Sequence, residues 1–213
     1  LHTPLGASAG GRSLREFAAD RLSELDFELP LAGGDQPGRL IRLAELGPVL
    51  DTHLAGDDPV RGWLPRLASP DLAGQPLRGY LTGSIDAVLR VPAPTGPGYL
   101  VVDYKSNRLH PAEDSPSLWH YRTEALQAAM FAADYPLQAL LYQVALHRYL
   151  TWRQPDYDPE RHLRGALYLF LRGMPGAAPT GADATDEVPG VYAWRPRAAA
   201  VVATSEFLAG GAP

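Results

Sequence analysis

Two apolar runs near the middle of the chain constrain the fold most, because each has the length and composition of a β-strand. The first is "LRGYLTGSIDAVLRV", residues 77–91, and the second is "YLVVDYKS", residues 99–106. The connection "PAPTGPG" consists mainly of proline and glycine, which favour turns and are poorly tolerated inside a sheet. The sequence therefore predicts an antiparallel β-hairpin.

The register of this hairpin places acidic and basic side chains together. If Arg90 pairs with Tyr99 at the neck of the loop, counting back along both strands places Asp86 opposite Asp103. Lys105 lies two residues beyond Asp103, so the alternation of side chains along a strand turns it to the same face. Two like charges directly opposed are destabilising unless something offsets them. A bound divalent cation is the obvious candidate.

Metal-assisted hydrolysis of a phosphodiester is the chemistry that needs these three side chains. Carboxylate oxygens hold Mg²⁺ while it keeps water and open positions for phosphate. The metal lowers the pKa of bound water, and a lysine ammonium beside it orients that water and stabilises the developing charge. An isolated Asp-x-Lys is usually a solvated strand end, so the interpretation depends on Asp86 in the neighbouring strand.

Composition limits the other functional classes. A chain of 213 residues with 46% hydrophobic content can bury the core of one domain. The absence of cysteine excludes disulfides and thiolate metal sites, and no signal peptide or membrane-length apolar run is present, which predicts a soluble cytoplasmic protein. The net charge of −5 argues against a free-standing nucleic-acid binder with a broad basic surface. Any contact with nucleic acid must be local or shared with a partner.

The segment before the hairpin predicts a helix, a strand and a second helix. Ser13 is placed to cap a helix whose apolar residues recur at helical spacing as far as Leu22. From Leu25 the pattern alternates with period two, as in a strand closed by Pro30. Residues 39–46 then favour a helix that Gly47 and Pro48 break, and the stretch that follows, up to the hairpin, has an irregular pattern.

The segment after the hairpin predicts a long helix, "YPLQALLYQVALHRYLTWR", with Pro136 in its first turn. Gln138 and Tyr142 are four residues apart and share a face of it. Taken alone, such a pair is more often ordinary surface and ordinary core. The strand-like "LRGALYLFLRG" and "GVYAWRP" follow, then the helical "RAAAVVATSEFL". This order implies an α/β fold with a mixed central β-sheet flanked by helices.

Several of these segments together carry a family resemblance. The residues "GSIDAVLR", "LVVDYKSN", "YPLQALLYQVALHRYL" with "LYLFLRGM", and "GVYAWRP" resemble the C-terminal nuclease domain of the RecB subunit of RecBCD, exodeoxyribonuclease V. The resemblance runs from about residue 77 to 198, and "ELDFELPL" extends it more weakly towards the N-terminus. That family belongs to the PD-(D/E)XK nucleases, so the resemblance implies a restriction-endonuclease-like core.

The resemblance also implies roles for individual residues. Asp86 matches the family's first metal-binding aspartate and Asp103 the second, at the start of the Asp-x-Lys element. Lys105 matches the catalytic lysine, and the backbone carbonyl of Tyr104 is expected to be a further ligand of the Mg²⁺ cofactor.

Gln138 and Tyr142 match the Q-x-x-x-Y motif of RecB-like nucleases, where these residues help to hold DNA. The implied function is a Mg²⁺-dependent exonuclease and endonuclease domain that acts on strands delivered by helicase motors. The implied partners are DNA, RecC-like and RecD-like subunits, and a RecA-type recombinase, without a membrane.

One departure from the family concerns a histidine. RecB nuclease domains carry a metal-binding histidine on a helix upstream of the "ELDF"-like strand, within a Gly-Thr-x-x-His type of sequence that this chain lacks. His2 is not assigned that role. We therefore expect residues 1–213 to be a single nuclease domain cut from a longer chain and lacking this helix. We also expect the isolated domain to bind metal weakly or to be inactive.

Two other functional classes remain open. A nuclease fold can serve as a non-catalytic module that guides DNA or docks a recombinase or partner subunit, although retention of Asp86, Asp103 and Lys105 argues against this. A carboxylate-pair hydrolase of sugars needs an acid and a base flanking a sugar cleft, and it gives Lys105 no role.

Overall fold

The computed structural model describes residues 2–32, 34, 40–94, 96–115, 117–176 and 187–211. Within these residues the strands are β1 (Arg21–Leu31), β2 (Ile41–Arg42), β3 (Pro76–Leu77), β4 (Gly79–Val91), β5 (Gly98–Lys105), β6 (Leu163–Phe170) and β7 (Val191–Trp194). The α-helices are α1 (Leu46–His53), α2 (Pro70–Ala73), α3 (Thr123–Ala132), α4 (Tyr135–Arg153), α5 (Pro159–His162) and α6 (Ala198–Leu208). Short 3₁₀ helices span Ala7–Ala9, Leu14–Phe17, Leu43–Glu45, Pro59–Ala68, Leu118–Tyr121 and Leu171–Gly173.

The fold is α/β, with a five-stranded mixed sheet flanked by helices. Its strand order is β1-β4-β5-β6-β7, and β2 pairs with β3 in a separate two-stranded sheet. The architecture is consistent with a restriction-endonuclease-like core, so the predicted fold class is confirmed. Among the helices that the structure describes, none is both long and apolar enough to cross a membrane.

The chain divides into two compact units. The first unit comprises Leu1–Leu25, Ile85–Tyr135 and Arg164–Arg195, and therefore contains the paired part of the central hairpin. The second comprises Asp26–Ser84, Pro136–Leu163 and Pro196–Pro213.

The central hairpin has the predicted register. Strands β4 and β5 are antiparallel, and Arg90 is the partner of Tyr99 at the neck of the loop. The pairing continues to Ala87 and Val102, so Asp86 and Asp103 are the next residues along the two strands. The sequence-based register is confirmed.

One face of this hairpin packs in the core of the first unit. Alternate residues in the paired part of β4 and β5 enter an apolar cluster that also receives side chains from β6 and from the N-terminal segment. The cluster contains Leu5, Ala9, Leu14, Phe17, Ala87, Leu89, Val91, Leu100, Val102, Leu167 and Leu169. Because side chains alternate along a strand, Asp86 and Asp103 are out of phase with this cluster and belong to the opposite face.

The N-terminal helix is shorter than predicted. Ser13 does begin a helical turn, since its backbone N–H and hydroxyl both donate to the Glu16 carboxylate at 2.8 and 2.7 Å, but the turn ends at Phe17 and β1 begins at Arg21. The backbone N–H of Arg90 donates to the Asp20 carbonyl at 2.8 Å, and the two side chains form an ion pair at 2.6 Å. Pairing with β4 thus overrides the local helical pattern.

The prediction that Gly47 and Pro48 end a helix was also wrong. Both lie inside α1, which begins at Leu46. Proline is tolerated there because backbone N–H groups in the first turn have no acceptor within the helix. The segment predicted to be irregular contains the 3₁₀ helix Pro59–Ala68, capped by the Asp58 carboxylate, which accepts from the Val60 N–H at 2.9 Å.

The elements after the hairpin follow the prediction more closely. Helix α4 spans the predicted residues, with Pro136 in its first turn, and β6, β7 and α6 occupy the predicted segments. In the second unit, Arg148 of α4 donates to the Ser205 hydroxyl at 2.9 Å and to the Pro30 carbonyl at 3.2 Å. The Gly/Pro-rich connections at 35–39 and 177–186 lie outside the described residues.

Candidate active site

Asp103 and Lys105 form a buried ion pair at the end of β5. The Lys105 Nζ lies 2.8 Å from Asp103 Oδ2, and the two side chains are 11% and 5% exposed. The pair confirms that the two side chains share a face of the sheet. A buried ion pair is costly to desolvate and contributes little net stability. The stability of the fold therefore does not explain why this pair is present.

Asp86 is held against the same strand from β4. Its Oδ2 accepts a hydrogen bond of 2.8 Å from the backbone N–H of Tyr104, the residue between Asp103 and Lys105. This bond fixes the half-buried carboxylate of Asp86 next to the paired residues Ala87 and Val102 of the hairpin. The Tyr104 side chain packs on the other face, against the apolar cluster.

The two carboxylates interact electrostatically. Burial raises the pKa of Asp103, because a low-dielectric surrounding disfavours the charged form. The Lys105 ammonium opposes this shift, and the nearby negative charge of Asp86 adds to it. A cation placed between the two carboxylates would remove both the burial penalty and their mutual repulsion.

Two aromatic rings lie close to the Lys105 ammonium. The ammonium lies 3.8 Å from the centroid of the Tyr135 ring and 5.1 Å from that of Tyr168. The two rings are stacked, with centroids 5.6 Å apart. Sequence reasoning missed both residues, since Tyr168 sits in an apolar strand and Tyr135 only precedes the proline of a helix.

A compositional signal for Lys105 was also missed. It is the only lysine in the sequence, and the other 18 basic residues counted with it are all arginine. Lysine offers a compact ammonium on a flexible stem, whereas arginine offers a broad planar fork, so the two are not interchangeable. The one lysine ammonium of the sequence therefore lies beside Asp103.

The oxygen donors at this end of the hairpin fit a hard divalent cation such as Mg²⁺. Asp103 Oδ2 is buried with the Lys105 ammonium 2.8 Å away as its partner, and carboxylate oxygens are the ligands that Mg²⁺ prefers in proteins. No cluster of three or more His, Cys, Asp or Glu side chains arranged to hold a metal occurs in the described part of the chain. Two carboxylates are sufficient for Mg²⁺, because this ion is commonly bound by one or two carboxylates and keeps several waters.

Gln138 and Tyr142 lie in the second unit, on α4. The Gln138 side-chain amide donates to the Tyr142 hydroxyl at 3.0 Å, which confirms that they share a helix face. The Tyr142 ring also meets Phe27 edge-on, with centroids 6.0 Å apart. Their role in holding DNA stays a prediction.

Comparison with known proteins bears on the origin of this site. No protein-family model matches the chain. The chain is 54% identical over 210 residues to the RecBCD enzyme subunit RecB of Mycobacterium tuberculosis, and the match covers 97% of this chain and 18% of that protein. The chain is related to RecB. RecB of Mycolicibacterium smegmatis is 50% identical over 214 residues, covering 99% of this chain and 19% of the relative.

The relation to RecB extends to a more distant bacterium. RecB of Escherichia coli K12 is 36% identical over 211 residues, which is 99% of this chain and 15% of that protein. The chain therefore spans less than a fifth of the length of these RecB proteins. The resemblance to RecB is borne out over nearly the whole chain, and the assignment to a nuclease domain stays a prediction.

Proposed function

We propose that this chain is a RecB-type nuclease domain of the PD-(D/E)XK superfamily, a Mg²⁺-dependent deoxyribonuclease that processes DNA double-strand ends for recombinational repair. The buried Asp103–Lys105 pair beside Asp86, on the mixed sheet of an α/β fold, is the observation that carries the proposal. The relation to RecBCD enzyme subunits over nearly the whole chain supports it.

Each residue of the site has a distinct task in this proposal. Asp86 and Asp103 hold the cation with their carboxylates, and the Tyr104 backbone carbonyl is a further ligand. Bound Mg²⁺ supplies an acidified water and screens the negative charge on the phosphodiester. Lys105 orients the attacking water and donates to the phosphoryl oxygen on which charge develops. The low exposure of the pair keeps these interactions strong, because bulk water does not screen them.

The partners follow from the same proposal. The subunit would act in a helicase-nuclease complex with RecC-like and RecD-like subunits in the cytoplasm, on DNA that motor domains deliver. Delivery by motors accounts for the net charge of −5, since the nuclease domain then needs little DNA affinity of its own. Gln138 and Tyr142 would help to hold the strand, and a RecA-type recombinase would dock on the same subunit.

A non-catalytic module that guides DNA or docks a partner is the second candidate. Among the described residues no third carboxylate, histidine or cysteine joins Asp86 and Asp103 in a metal-binding cluster, and Asp103 is already paired with Lys105; both observations favour this module. This alternative predicts binding of DNA or of a partner without cleavage. An experiment can therefore distinguish it from the first proposal.

The test uses the protein in its native complex, with linear double-stranded DNA labelled at its ends. We expect degradation in Mg²⁺ and none in EDTA. We expect Asp103→Asn to weaken Mg²⁺ binding by about 10–100-fold or more, since even residues that only orient metal ligands have effects of this size. Calorimetric titration with Mg²⁺ and the rate of DNA degradation measure the two effects.

The matched control is Asp114→Asn, which removes an exposed carboxylate from the same unit and should change neither quantity. Degradation in EDTA, or an Asp103→Asn complex that degrades DNA like the wild type, would refute the metal-dependent reaction. A wild-type complex that binds DNA but never cleaves it with this domain would favour the non-catalytic module.

A further inference from the structure

The Lys105 side chain is enclosed on more than one side. Asp103 Oδ2 lies 2.8 Å from its ammonium, and the Tyr135 ring lies 3.8 Å from it on another side. Tyr168, which is almost fully buried, stacks against the Tyr135 ring and lies 5.1 Å from the ammonium. The ammonium thus lies against both rings, since it is nearer to each centroid than the two centroids are to each other.

A lysine needs such restraint more than other side chains do. Its four-carbon stem is flexible and has many rotamers, so several contacts are needed to hold the ammonium in one place. A ring face within about 6 Å attracts a cation, most strongly where water is excluded. Because the Lys105 side chain is only 11% exposed, the attraction to Tyr135 acts in that stronger regime.

The residue before Tyr135 has a left-handed backbone conformation. Helix α3 ends at Ala132, and Asp134 adopts a left-handed conformation with φ of 54°, which is uncommon for a residue other than glycine. Tyr135 follows directly. Its carbonyl accepts a weak hydrogen bond of 3.5 Å from the Tyr168 hydroxyl, and its own hydroxyl lies 3.5 Å from Asn107 Oδ1. A left-handed residue directly after the C-cap is a common way to end a helix, and here it leads into Tyr135, the first residue of α4.

We infer that Tyr135, backed by Tyr168, is a positioning residue that holds the Lys105 ammonium in its reactive place. The inference rests on the proposed nuclease function. The ring face performs the task, and the tyrosine hydroxyl is not needed for it. Removal of the ring should therefore slow the chemical step without weakening the binding of DNA or Mg²⁺.

The experiment compares Tyr135→Leu with Tyr135→Phe in the native complex. We expect Tyr135→Leu to lower kcat for DNA degradation by about tenfold, the size of effect expected for a desolvated cation–π contact, with KM and the Mg²⁺ dependence unchanged. Tyr135→Phe keeps the ring and should keep the wild-type kcat. If Tyr135→Leu does not fold, as judged by thermal melting, Tyr135→Met replaces it, since it also fills space without a π face.

A double-mutant cycle with Lys105→Met separates positioning from a general structural effect. If Tyr135 acts through Lys105, adding Tyr135→Leu to Lys105→Met should lower the residual rate no further. A further loss, a Tyr135→Leu enzyme with wild-type kcat, or a Tyr135→Phe enzyme as slow as Tyr135→Leu would overturn the inference.

The same cycle distinguishes this inference from the proposed function. If Lys105→Met alone leaves degradation unchanged, the catalytic assignment of Lys105 fails, whatever Tyr135 does. If Lys105→Met is slow and Tyr135→Leu is not, the proposed function stands and only the role of the ring is wrong.

Discussion

Replacing Lys105 with methionine is expected to reduce DNA degradation by about 10²–10³-fold, the usual effect of removing one group that stabilises developing charge. Methionine keeps much of the length of the side chain and removes its charge. Binding of Mg²⁺ should survive, because the ammonium repels a cation and donates no ligand. This combination of lost cleavage and retained metal differs from the result expected for Asp103→Asn, in which both are lost.

The measurement must allow for stability, because Lys105→Met leaves Asp103 buried without its cation. Breaking a buried pair on one side costs about 3–5 kcal/mol, and the pair here is largely shielded from water. The double variant Asp103→Asn/Lys105→Met removes both charges and should recover most of the free energy of unfolding without recovering cleavage. Arg15→Met, at an exposed position of the same unit, is the control for loss of a positive charge. Cleavage by Lys105→Met at the wild-type rate would contradict the assignment.

The geometry of the acidic and basic residues could be predicted because it depends on local rules. Proline and glycine fixed the position of the hairpin loop, and the pairing of Arg90 with Tyr99 then determined the register along both strands. The alternation of side chains placed Lys105 on the face of Asp103, where the ion pair is found. None of these steps needed information from a distant part of the chain.

The surroundings of Lys105 could not be predicted in the same way. Tyr168 lies in an apolar strand, where its period-two position is indistinguishable from ordinary core. Tyr135 reaches the ammonium because Asp134 takes up a left-handed backbone conformation, which sequence patterns seldom reveal for residues other than glycine. Contacts between segments distant in sequence decide both positions.

One of the two errors in secondary structure also arises from a contact between segments distant in sequence. The helical spacing after Ser13 is genuine, but the Asp20 carbonyl accepts a hydrogen bond from Arg90 in β4, and sheet pairing outweighs the weak local preference. At Pro48 the error lay in the position within the helix. Proline breaks a helix in its interior and is tolerated in its first turn.

Replacing Gly165 with alanine is expected to destabilise the folded chain strongly. Gly165 lies in β6 with φ of 91°, a conformation that L-residues rarely adopt. An added Cβ would overlap the backbone carbonyl of Trp194 and come within 2.8 Å of the Arg195 Cα. Strain of about 1–2 kcal/mol for the backbone and about 1–3 kcal/mol for the overlap predicts a loss of about 2–5 kcal/mol in the free energy of unfolding.

Gly176 offers a matched control for the two contributions. Its φ of 87° is close to that of Gly165, but no atom of the described residues lies within 4 Å of the position that a Cβ would take. Gly176→Ala should therefore lose only the contribution of backbone strain, about 1–2 kcal/mol, when both variants are unfolded in urea. Equal losses would mean that β7 yields to the added methyl group. A larger loss for Gly165→Ala would mean that β7 is held rigidly against β6. Strand β6 also carries Tyr168, whose ring centroid lies 5.1 Å from the Lys105 ammonium.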